Sequence, residues 1–481
     1  MESVSHLDEF KKQRMENMKR LETLGYEAFG RAFERTGCIL DIRKVFEDGK
    51  RVRMAGRMVS KREMGKSIFA HLQDHTGKFQ IYVRKNDVGE DAFSAFQVLD
   101  LGDHIGIEGE LFTTKMGEPT AKVTTWQLLG KSLLPLPEKW HGLHDVDIRY
   151  RKRYLDMIAN PEVAELFRQR AHSIRMMRDF LFSRGYLEVE TPMIQSMAGG
   201  AAANPFKTHF DALGVDMFLR IAPELYLKRL LAGGFDKVFE LNRNFRNEGL
   251  SRFHNPEFTM LEIYEAYGDM RTMMQLIQDM IVSVGREVFG KLQFGEGESA
   301  VDLTPPWKEV PYRELISETA GHDWFDLSED SMRDRAESLG IQVAPDCNAV
   351  EITHEVFEKR IEKNIRGPVF VTRMPVDLVP LAKACEDDPS VVDVFELIIA
   401  GREIAPGYSE LNDPIEQRRR LEKQAAGDPA FIDEDFLTAL EHGMPPAGGM
   451  GIGIDRLLMI MAGAEAIRDV ILFPQLKPKK V

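Results

Sequence analysis

The chain of 481 residues contains only three cysteines, Cys38, Cys347 and Cys385. Because they are few, odd in number and without a C-x-x-C spacing, neither a disulfide framework nor a zinc site is expected. The chain also lacks a run of about 18 apolar residues, which a membrane-spanning helix needs, and its charged N-terminus does not resemble a signal peptide. These absences predict a cytoplasmic protein that does not enter a membrane.

Positive charge is also in short supply, since 63 Lys and Arg are outnumbered by 77 Asp and Glu, for a net charge of -14. Nonspecific nucleic-acid binding depends on neutralised phosphates, so this balance argues against a protein that coats nucleic acid but leaves a local basic face possible. The composition, 43% hydrophobic and 29% charged, is that of a globular protein. At this length, two or more domains are expected.

Residues 1–50 are predicted to form an N-terminal helical extension, in which segment 7–24 has the apolar spacing of one amphipathic helix. Its basic residues favour a solvated helix face over an arm that binds nucleic acid. In residues 51–131, short alternating runs separated by turn signals such as TGK and MGE predict about five strands. This pattern is typical of a small closed barrel of the OB type.

Residues 132–150 contain Pro135 and Pro137 and are predicted to form a stiff linker. The remaining residues, 151–481, mix strands and helices. A helix is expected over 161–183, a segment that starts with a proline and is soon followed by a glycine. Strands joined by hairpins and interrupted by helices indicate an antiparallel α+β sheet.

Two segments, VFELNRNFRNEG (238–249) and EFTMLEIYEAY (257–267), are expected to pair as a hairpin. Because side chains alternate between the two faces of a strand, Arg246 and Glu262 fall on the face away from the apolar residues. A solvated outer face is one explanation of this polar side. An aromatic residue such as Phe258 beside these charges is more typical of the floor of a ligand site.

A second acidic cluster lies in VFELIIAGREIAPGYSEL, residues 394–411. If 400–401 forms a two-residue turn, Glu396 and Glu403 become diagonal neighbours on one face, roughly 7 to 8 Å apart. Two carboxylates at that spacing suit Mg²⁺ bridged to phosphates better than zinc. A surface ladder of like charges is the alternative, but neighbouring like charges are unfavourable without a cation.

The segment PPAGGMGIGIDRLLM, residues 445–459, combines four glycines with Asp455 and Arg456. Glycines allow close approach of the backbone, and a helix N-terminus favours an anion. The spacing matches neither the dinucleotide fingerprint nor the P-loop, so a glycine cluster that serves packing would look the same. Together, these segments offer arginines, carboxylates and an aromatic ring without a nucleophile arrangement, as in sites that act on phosphates by positioning and charge.

Three segments resemble motifs 1, 2 and 3 of the class II aminoacyl-tRNA synthetases: RGYLEVETP (184–192), FRNEG through HNPEFTMLE (245–262) and GMGIGIDR (449–456). The resemblance is closest to the bacterial lysyl-tRNA synthetase family, to which RIAPELYLKRL, LEIYEAY and GREI with SELND are also similar. It extends from the barrel to RDVILFP, which ends at residue 474. It implies an α+β fold, in which an N-terminal OB-type β-barrel precedes a class II catalytic domain with an antiparallel sheet flanked by helices.

The resemblance assigns the catalytic role to two arginines. Arg246 would hold the α-phosphate of ATP and the substrate carboxylate, and Phe258 would stack on adenine with Arg456 on its other side. The residues of the implied ATP site are Arg246, Glu248, His254, Asn255, Phe258 and Arg456. Glu396 and Glu403 would hold Mg²⁺ against the phosphates, and no zinc is implied.

The resemblance also implies a lysine pocket and an anticodon site. Glu224 would bind the α-amino group of L-lysine, with the other pocket residues around its backbone and side chain. The implied lysine-binding residues are Gly200, Glu224, Glu262, Tyr264 and Glu410. The barrel residues that match positions reading a U-rich anticodon are Arg62, Phe69, Gln80 and Glu118. The alternative for Phe69 is an ordinary place in the barrel core.

The implied substrates are ATP, L-lysine and tRNA(Lys). The lysine carboxylate would attack the α-phosphorus of ATP, giving lysyl-adenylate and pyrophosphate. The terminal ribose hydroxyl of the tRNA would then attack the activated carbonyl, so no enzyme nucleophile is needed. Motif 1 builds a two-fold interface in this family, which implies a homodimer.

The chain departs from the family pattern in three places. Pro406 stands where Asn is usual, which removes an amide that would contact the amino acid. Asn204 replaces a usual Arg, and Cys385 and Glu386 stand where His and Arg are expected. The last two departures alter contacts expected with pyrophosphate or the acceptor end.

Other functions make different demands on these residues. A synthetase of the aspartyl or asparaginyl type would need a basic residue where Glu262 and Glu410 stand. A lysine ligase that acts on a protein would do without the barrel. A non-catalytic nucleic-acid-binding protein would have a decayed site, whereas Arg246, Glu403 and Arg456 are all present.

Overall fold

The computed structural model describes residues 2–136, 143–197, 199–201, 203–297, 300–424 and 432–479, with only the backbone for 2–6. Pro137 of the predicted linker lies outside these residues. The chain divides into two compact units, residues 1–145 with 154–160 and residues 146–153 with 161–481.

The first part of the chain is rich in strands, and the second part contains both helices and strands. Its helices are α1 (Glu2–Thr23), α2 (Ile39–Lys44), α3 (Lys85–Val88), α4 (Glu90–Val98), α5 (Val146–Arg151), α6 (Arg153–Ala159), α7 (Pro161–Phe182), α8 (Glu224–Ala232), α9 (Met270–Val288), α10 (Tyr312–Ala320), α11 (Glu329–Ser338), α12 (Ala349–Val356), α13 (Pro414–Gln424), α14 (Glu434–Glu441) and α15 (Ile454–Ala462). Its strands are β1 (Arg51–Met64), β2 (Ser67–Gln73), β3 (Lys78–Arg84), β4 (His104–Thr113), β5 (Pro119–Gly130), β6 (Leu187–Glu188), β7 (Ile194–Gln195), β8 (Lys207–Phe210), β9 (Val215–Leu219), β10 (Lys237–Phe245), β11 (Glu257–Ala266), β12 (Gln293–Phe294), β13 (Val301–Asp302), β14 (Lys308–Pro311), β15 (Val369–Thr372), β16 (Val394–Ile398), β17 (Glu403–Ser409) and β18 (Ala447–Gly453).

The first unit contains the predicted barrel. Strands β1 to β5 close in the order β1-β2-β3-β5-β4, and β4 pairs back onto β1. Alternate side chains of each strand are buried, such as Ile68, Ala70 and Leu72 of β2, because alternation with a period of two turns one face of the strand inward. The predicted OB-type barrel is therefore confirmed.

Helix α1 confirms the predicted N-terminal helix, although it starts before residue 7. Leu21 is buried, but Leu7 and Phe10 are 46% and 48% exposed, so the predicted apolar stripe is only partly covered. The prediction of a solvated basic face is wrong for Arg14. This side chain is buried and donates to the carbonyl oxygen of Ser132 at 3.0 Å.

The second unit is built around a sheet in the order β14-β15-β16-β17-β18-β11-β10-β6. Its central strands, β16 to β18 with β10 and β11, are paired antiparallel, whereas the outer pairs β14–β15 and β6–β10 are parallel. Helices α9 and α15 pack on one face, where Leu261, Ile277 and Leu457 belong to one completely or almost completely buried core. The predicted antiparallel α+β sheet is confirmed, with parallel pairs at its edges.

The predicted helix over 161–183 is confirmed as α7, which ends at Phe182. Within the described ranges, no helix has the length and apolar content needed to cross a lipid bilayer.

Candidate active site

The hairpin of β10 and β11 provides the polar floor of the site. Glu240 lies directly opposite Glu262, and Leu241 lies opposite Leu261. Residues opposite each other in an antiparallel pair project to the same face, so the acidic pair and the apolar pair lie on different faces. The predicted hairpin and its alternation are confirmed. Arg246 follows the end of β10.

Strand β18 explains the glycine-rich segment. Gly449 and Gly451 lie directly opposite Tyr264 and Glu262 of β11. A Cβ atom at residue 451 would come within 3.0 Å of the Glu262 Oε1 atom, and one at residue 449 within 2.5 Å of the Tyr264 ring. These glycines therefore leave room for the polar side chains of the neighbouring strand.

A cavity on the polar face brings the residues of the predicted ATP site together. Its lining includes Arg246, Glu248, His254, Asn255, Phe258, Glu403 and Arg456. The Arg246 guanidinium lies over the Phe258 ring, 5.2 Å from the ring centroid. A cation over an aromatic face at this spacing is attracted to the ring, so Arg246 and Phe258 hold each other in the cavity.

Arg456 lies in the first turn of α15, whose N-cap is Gly453. Its Nη1 atom donates to the carbonyl oxygen of Glu403 at 3.0 Å, and its Nη2 atom lies 3.2 Å from His254 Nε2. Burial, and then the charge of Arg456, lower the pKa of His254. A neutral His254 accepts from the guanidinium, so the two side chains hold each other in the cavity.

Asn255 closes the loop between the two floor strands. Its side-chain amide donates to the carbonyl oxygen of Glu257 at 2.6 Å, and its Oδ1 atom accepts from the amide of Gln475 at 3.2 Å. The start of the loop is tied to its end, since the Arg246 amide donates to the Pro256 carbonyl at 2.9 Å. Asn255 therefore shapes the cavity, and a direct ATP contact by this residue stays a prediction.

Strands β16 and β17 carry the predicted metal-binding carboxylates. The two-residue turn at 400–401 is confirmed by reciprocal backbone hydrogen bonds across it. A β-bulge then adds a residue to β17 and places Pro406 directly opposite Glu396. Glu403 lies opposite Ile398, two residues from Glu396, as the two-residue turn predicts. The bulge shifts only the pairing beyond this point by one residue, and the sequence contains no signal for it.

Glu396 stands in a crowded negative environment. Burial, and then the charges of Glu403, Glu362 and Glu358, raise the pKa of Glu396 well above its usual value. Glu362 also accepts a hydrogen bond from the Glu403 amide at 2.9 Å, which fixes the start of β17. Crowded carboxylates of this kind fit a divalent cation. Sequence reasoning missed Glu358 and Glu362, whose only signal is a spacing of four residues.

The donor set decides which cation fits. Among the described residues, no group of three His, Cys, Asp or Glu side chains converges as in a closed metal cage. Mg²⁺ typically keeps several ligands from water and phosphate and takes one or two carboxylates from protein. Glu396 and Glu403 are therefore suited to Mg²⁺ that enters with a nucleotide.

The predicted lysine pocket is a buried acidic cluster. Glu224, Glu262, Tyr264 and Glu410 are 6%, 5%, 2% and 1% exposed. Burial, and then the charge of Glu224, raise the pKa of Glu262 to about 8. Burial also raises the pKa of Glu410, although contact with Lys228 opposes the change. The Tyr264 hydroxyl donates to Glu262 at 3.1 Å.

Gly200 lies beside this cluster. It has a φ of 82°, and a Cβ atom there would come within 3.3 Å of the Cβ of Glu224. The structure therefore brings all five predicted lysine-binding residues to one region, and their roles stay predictions.

Two further residues of the cluster were missed from the sequence. Lys228 is completely buried, with its Nζ atom 2.8 Å from Glu224 Oε1 and paired with Glu410. The Tyr408 hydroxyl donates to Glu224, and its ring lies 5.4 Å from the Lys228 Nζ atom. The helical spacing of Glu224 and Lys228, four residues apart, was a local signal for this pair. No local signal connects Lys228 to Glu410.

The predicted anticodon residues share one outer face of the barrel. Arg62 lies opposite Phe69, and the Phe69 ring packs on Tyr82 with 4.7 Å between centroids. Gln80 accepts from the Thr120 hydroxyl at 2.7 Å. The alternative that placed Phe69 in the barrel core is wrong, since its neighbours in sequence fill the core and its own side chain is half-buried on the other face.

Glu118 completes this face. It is exposed just before β5, and its carboxylate lies 3.7 Å from His71 Nε2. His71 in turn lies opposite Gln80 and shares a hydrogen bond of 2.8 Å with Ser60. The face therefore presents an aromatic ring among polar groups, which is typical of surfaces on which unstacked bases lie.

Known proteins match both units. A family model described as tRNA synthetases class II (D, K and N) matches residues 145–477, and one described as OB-fold nucleic acid binding domain matches residues 52–129. The lysine–tRNA ligase of Syntrophomonas wolfei is 50% identical over 99% of both chains. This chain belongs to the lysine–tRNA ligases. The ligase of Pelotomaculum thermopropionicum is 50% identical over 98% of this chain and 96% of its own, and that of Bacillus subtilis is 45% identical over 97% of both.

Membership in the lysine–tRNA ligases bears on the alternatives. The relatives that align along nearly the whole chain do not favour an aspartyl or asparaginyl type. The OB-fold match at residues 52–129 speaks against a ligase that does without the barrel. The chain is therefore an aminoacyl-tRNA synthetase with both of its expected parts.

The residues at which this ligase departs from the family pattern differ in their exposure and in their contacts. Pro406 lines the cavity that holds the residues of the predicted ATP site. The backbone oxygen of Asn204 accepts from the Asn247 amide at 2.7 Å, a bond that does not depend on the side chain at residue 204. Cys385 is buried and Glu386 is exposed. A direct effect of Pro406 on nucleotide or amino acid binding stays a prediction.

Proposed function

We propose that this enzyme activates L-lysine with ATP and transfers it to the 3′ end of tRNA(Lys) for translation. The observation that carries the proposal is the burial of Glu224, Glu262 and Glu410 in one cluster close to Arg246. Buried carboxylates cost free energy unless a cation faces them. Lysine offers two ammonium groups to these carboxylates and one carboxylate to Arg246.

The first step would form lysyl-adenylate. The lysine carboxylate attacks the α-phosphorus of ATP, and the bond to pyrophosphate breaks. Arg246 holds the α-phosphate and the lysine carboxylate, while Phe258 and Arg456 enclose the adenine. Glu248, His254 and Asn255 line the rest of the ATP site. Since the substrates supply both the nucleophile and the leaving group, the protein contributes positioning and charge stabilisation.

The second step would transfer the lysyl group. The terminal ribose hydroxyl of the tRNA attacks the activated carbonyl, and AMP leaves. Glu224 keeps the α-amino group in place, and Gly200 leaves space beside it for the amino acid backbone. Glu262, Tyr264 and Glu410 hold the ammonium group of the side chain. No covalent enzyme intermediate is required.

Glu396 and Glu403 would hold Mg²⁺. The bound ion would neutralise negative charge on the phosphates of ATP. The support for this assignment is the raised pKa of Glu396 among neighbouring carboxylates. The hydrogen bond from the Glu403 amide to Glu362 holds the start of β17, where Glu403 lies, in place.

We also propose that the chain binds tRNA(Lys) through its barrel and a second copy of itself through its catalytic domain. The anticodon would be read by Arg62, Phe69, Gln80 and Glu118.

Two copies of the chain would associate through the motif 1 region, where Phe182, Leu187 and Ile194 are 50%, 47% and 53% exposed. Exposed apolar residues near one another often mark a protein interface. With ATP and tRNA as substrates, the enzyme would work in the cytoplasm.

We also propose that the chain consists of four parts with separate functions. These parts are an N-terminal extension (1–50), an anticodon-binding barrel (51–131), a linker (132–150) and a catalytic domain (151–481).

The direct test is ATP–pyrophosphate exchange with each candidate amino acid, followed by charging of tRNA(Lys). Exchange that depends on lysine and not on aspartate or asparagine is expected. Exchange that depends on aspartate or asparagine instead of lysine would overturn the proposal. Light scattering of the purified chain tests the homodimer.

A further inference from the structure

The acidic pocket contains an internal cation. Lys228 lies on α8 one turn after Glu224, and its side chain is completely buried. Its Nζ atom is 2.8 Å from Glu224 Oε1 and also pairs with Glu410, which follows the end of β17. One ammonium group therefore connects a helix to the far end of a sheet strand. Among the ion pairs of the described residues, no other cation pairs with either carboxylate.

The surroundings of Lys228 isolate it from solvent. Tyr408 covers it with its ring, at 5.4 Å from the Nζ atom, and donates its hydroxyl to Glu224. Burial by itself would lower the pKa of Lys228, but Glu224 and Glu410 raise it above its usual value. Lys228 therefore stays charged. A fully buried ammonium group carries a large desolvation cost, which two carboxylate partners offset.

The arrangement leaves acceptor capacity for a ligand. Glu410 Oε2 forms an ion pair with Lys228, yet neither carboxylate oxygen of Glu410 has a hydrogen-bond partner in the part of the chain that the structure describes, and Oε1 lies against Gly449. Gly449 provides the room for this free oxygen. A buried carboxylate oxygen without a partner is costly in the empty protein and points to a ligand that donates to it.

Charge balance then decides which ligand fits. Glu224, Glu262 and Glu410 bring three negative charges when all are ionised, and Lys228 cancels one of them. The two that remain match the α-ammonium and side-chain ammonium groups of lysine. Without Lys228, the pocket would have one negative charge in excess, and its two bridged carboxylates would repel each other at short range.

We propose that Lys228 is a positioning and specificity-determining residue of the amino acid pocket: it holds Glu224 and Glu410 in place and sets the pocket charge to match the two ammonium groups of lysine. This inference rests on the proposed lysine-activating function. Lys228 acts through the two carboxylates and does not touch the substrate.

The test uses the full chain and ATP–pyrophosphate exchange with L-lysine. Lys228→Met is expected to raise the KM for lysine by about 10-fold to 100-fold, the effect of losing a charged partner, with the KM for ATP within about 3-fold of the wild type. If Lys228 were merely structural, its replacement would instead raise both KM values or lower kcat alone. Either of those results would overturn the proposal.

A second variant tests charge balance directly. Glu410→Gln alone leaves too few negative charges and is expected to raise the KM for lysine. Adding Lys228→Met to Glu410→Gln restores the balance, so the double variant is expected to have a KM for lysine at least about 3-fold lower than Glu410→Gln alone. A double variant whose KM for lysine equals or exceeds that of Glu410→Gln would contradict the proposal. This comparison stands even where Lys228→Met alone does not fold.

The wild-type enzyme separates this inference from the proposed function. Wild-type chain without lysine-dependent exchange would refute the function itself. Lysine-dependent exchange by the wild type, together with a double variant whose KM for lysine is no lower than that of Glu410→Gln, would refute only the role of Lys228. Thermal unfolding of each variant shows which of them are folded at the assay temperature.

Discussion

Gly449 leaves the space that the carboxylate of Glu410 occupies. A Cβ atom at residue 449 would overlap the Glu410 Oε1 atom and lie 2.5 Å from the Tyr264 ring. The Glu410 amide donates to the Ala447 carbonyl at 2.8 Å, so the backbone holds Glu410 against β18. The acidic pocket therefore depends on a residue that contributes no side chain.

The first prediction concerns this missing side chain. Gly449→Ala is expected to displace Glu410 and to raise the KM for lysine by about 100-fold, because overpacking and lost charge contacts together cost about 3 kcal/mol. Lysine-dependent exchange measures the effect. Gly367→Ala is the control, since no atom lies within 4 Å of a Cβ placed there and its φ lies outside the left-handed region. Equal losses in both variants would contradict the prediction.

The second prediction separates the two substrates. Glu262→Gln keeps the shape of the side chain and removes its charge, so the KM for lysine is expected to rise by about 10-fold to 100-fold, while that for ATP changes little. Exchange kinetics with each substrate varied in turn measure both values. Glu257→Gln, on the same strand, removes a surface charge paired with Arg243 at 3.6 Å and serves as the control. A parallel rise in both KM values would remove Glu262 from the lysine pocket.

The third prediction follows from the pKa of Glu262, raised to about 8 by burial, with Glu224 adding to the rise and Arg246 and Arg220 opposing it. Below this value the empty pocket binds a proton, which a lysine ammonium group displaces. Lysine affinity is therefore expected to increase as the pH rises from about 6 to about 8, with proton release on binding. Calorimetry in buffers of different ionisation enthalpy measures the release. Binding without proton release at pH 7 would show that Glu262 is already ionised.

The fourth prediction concerns the nucleotide. Arg456→Ala removes the donor to the Glu403 carbonyl and the partner of His254. Loss of one preorganised cation is expected to slow adenylate formation by about 100-fold to 1000-fold. Lysine binding measured by calorimetry without ATP is expected to stay within about 2-fold of the wild type, because the pocket carboxylates are untouched. Loss of lysine binding as well would indicate a fold defect.

The fifth prediction concerns the barrel. Phe69→Ala removes the ring that packs on Tyr82 at 4.7 Å. Base stacking on such a ring contributes about 1 to 3 kcal/mol, so the KM for tRNA(Lys) is expected to rise at least about 5-fold while exchange is unchanged. Charging assays at different concentrations of tRNA(Lys) measure this KM. Met116→Ala, at a loop residue that is 94% exposed, is the control and is expected to leave charging unchanged.

The sequence by itself determined the parts of the site that follow from alternation and motif. Strand alternation placed Arg246 and Glu262 on the polar side of a predicted hairpin, and the observed pairing of β10 with β11 agrees. The barrel was also predictable, because apolar and polar residues alternate along its strands. These features depend on neighbours in the chain, whose geometry local periodicity fixes.

Only the tertiary structure decided which distant residues complete the pocket. Lys228 and Glu410 are far apart in the sequence, and their pairing depends on how α8 lies against the end of β17. The bulge that brings Pro406 opposite Glu396, and the gap at Gly449 that admits Glu410, depend likewise on cross-strand register. Register and helix placement are set by the packing of the whole core, which periodicity along one segment does not contain.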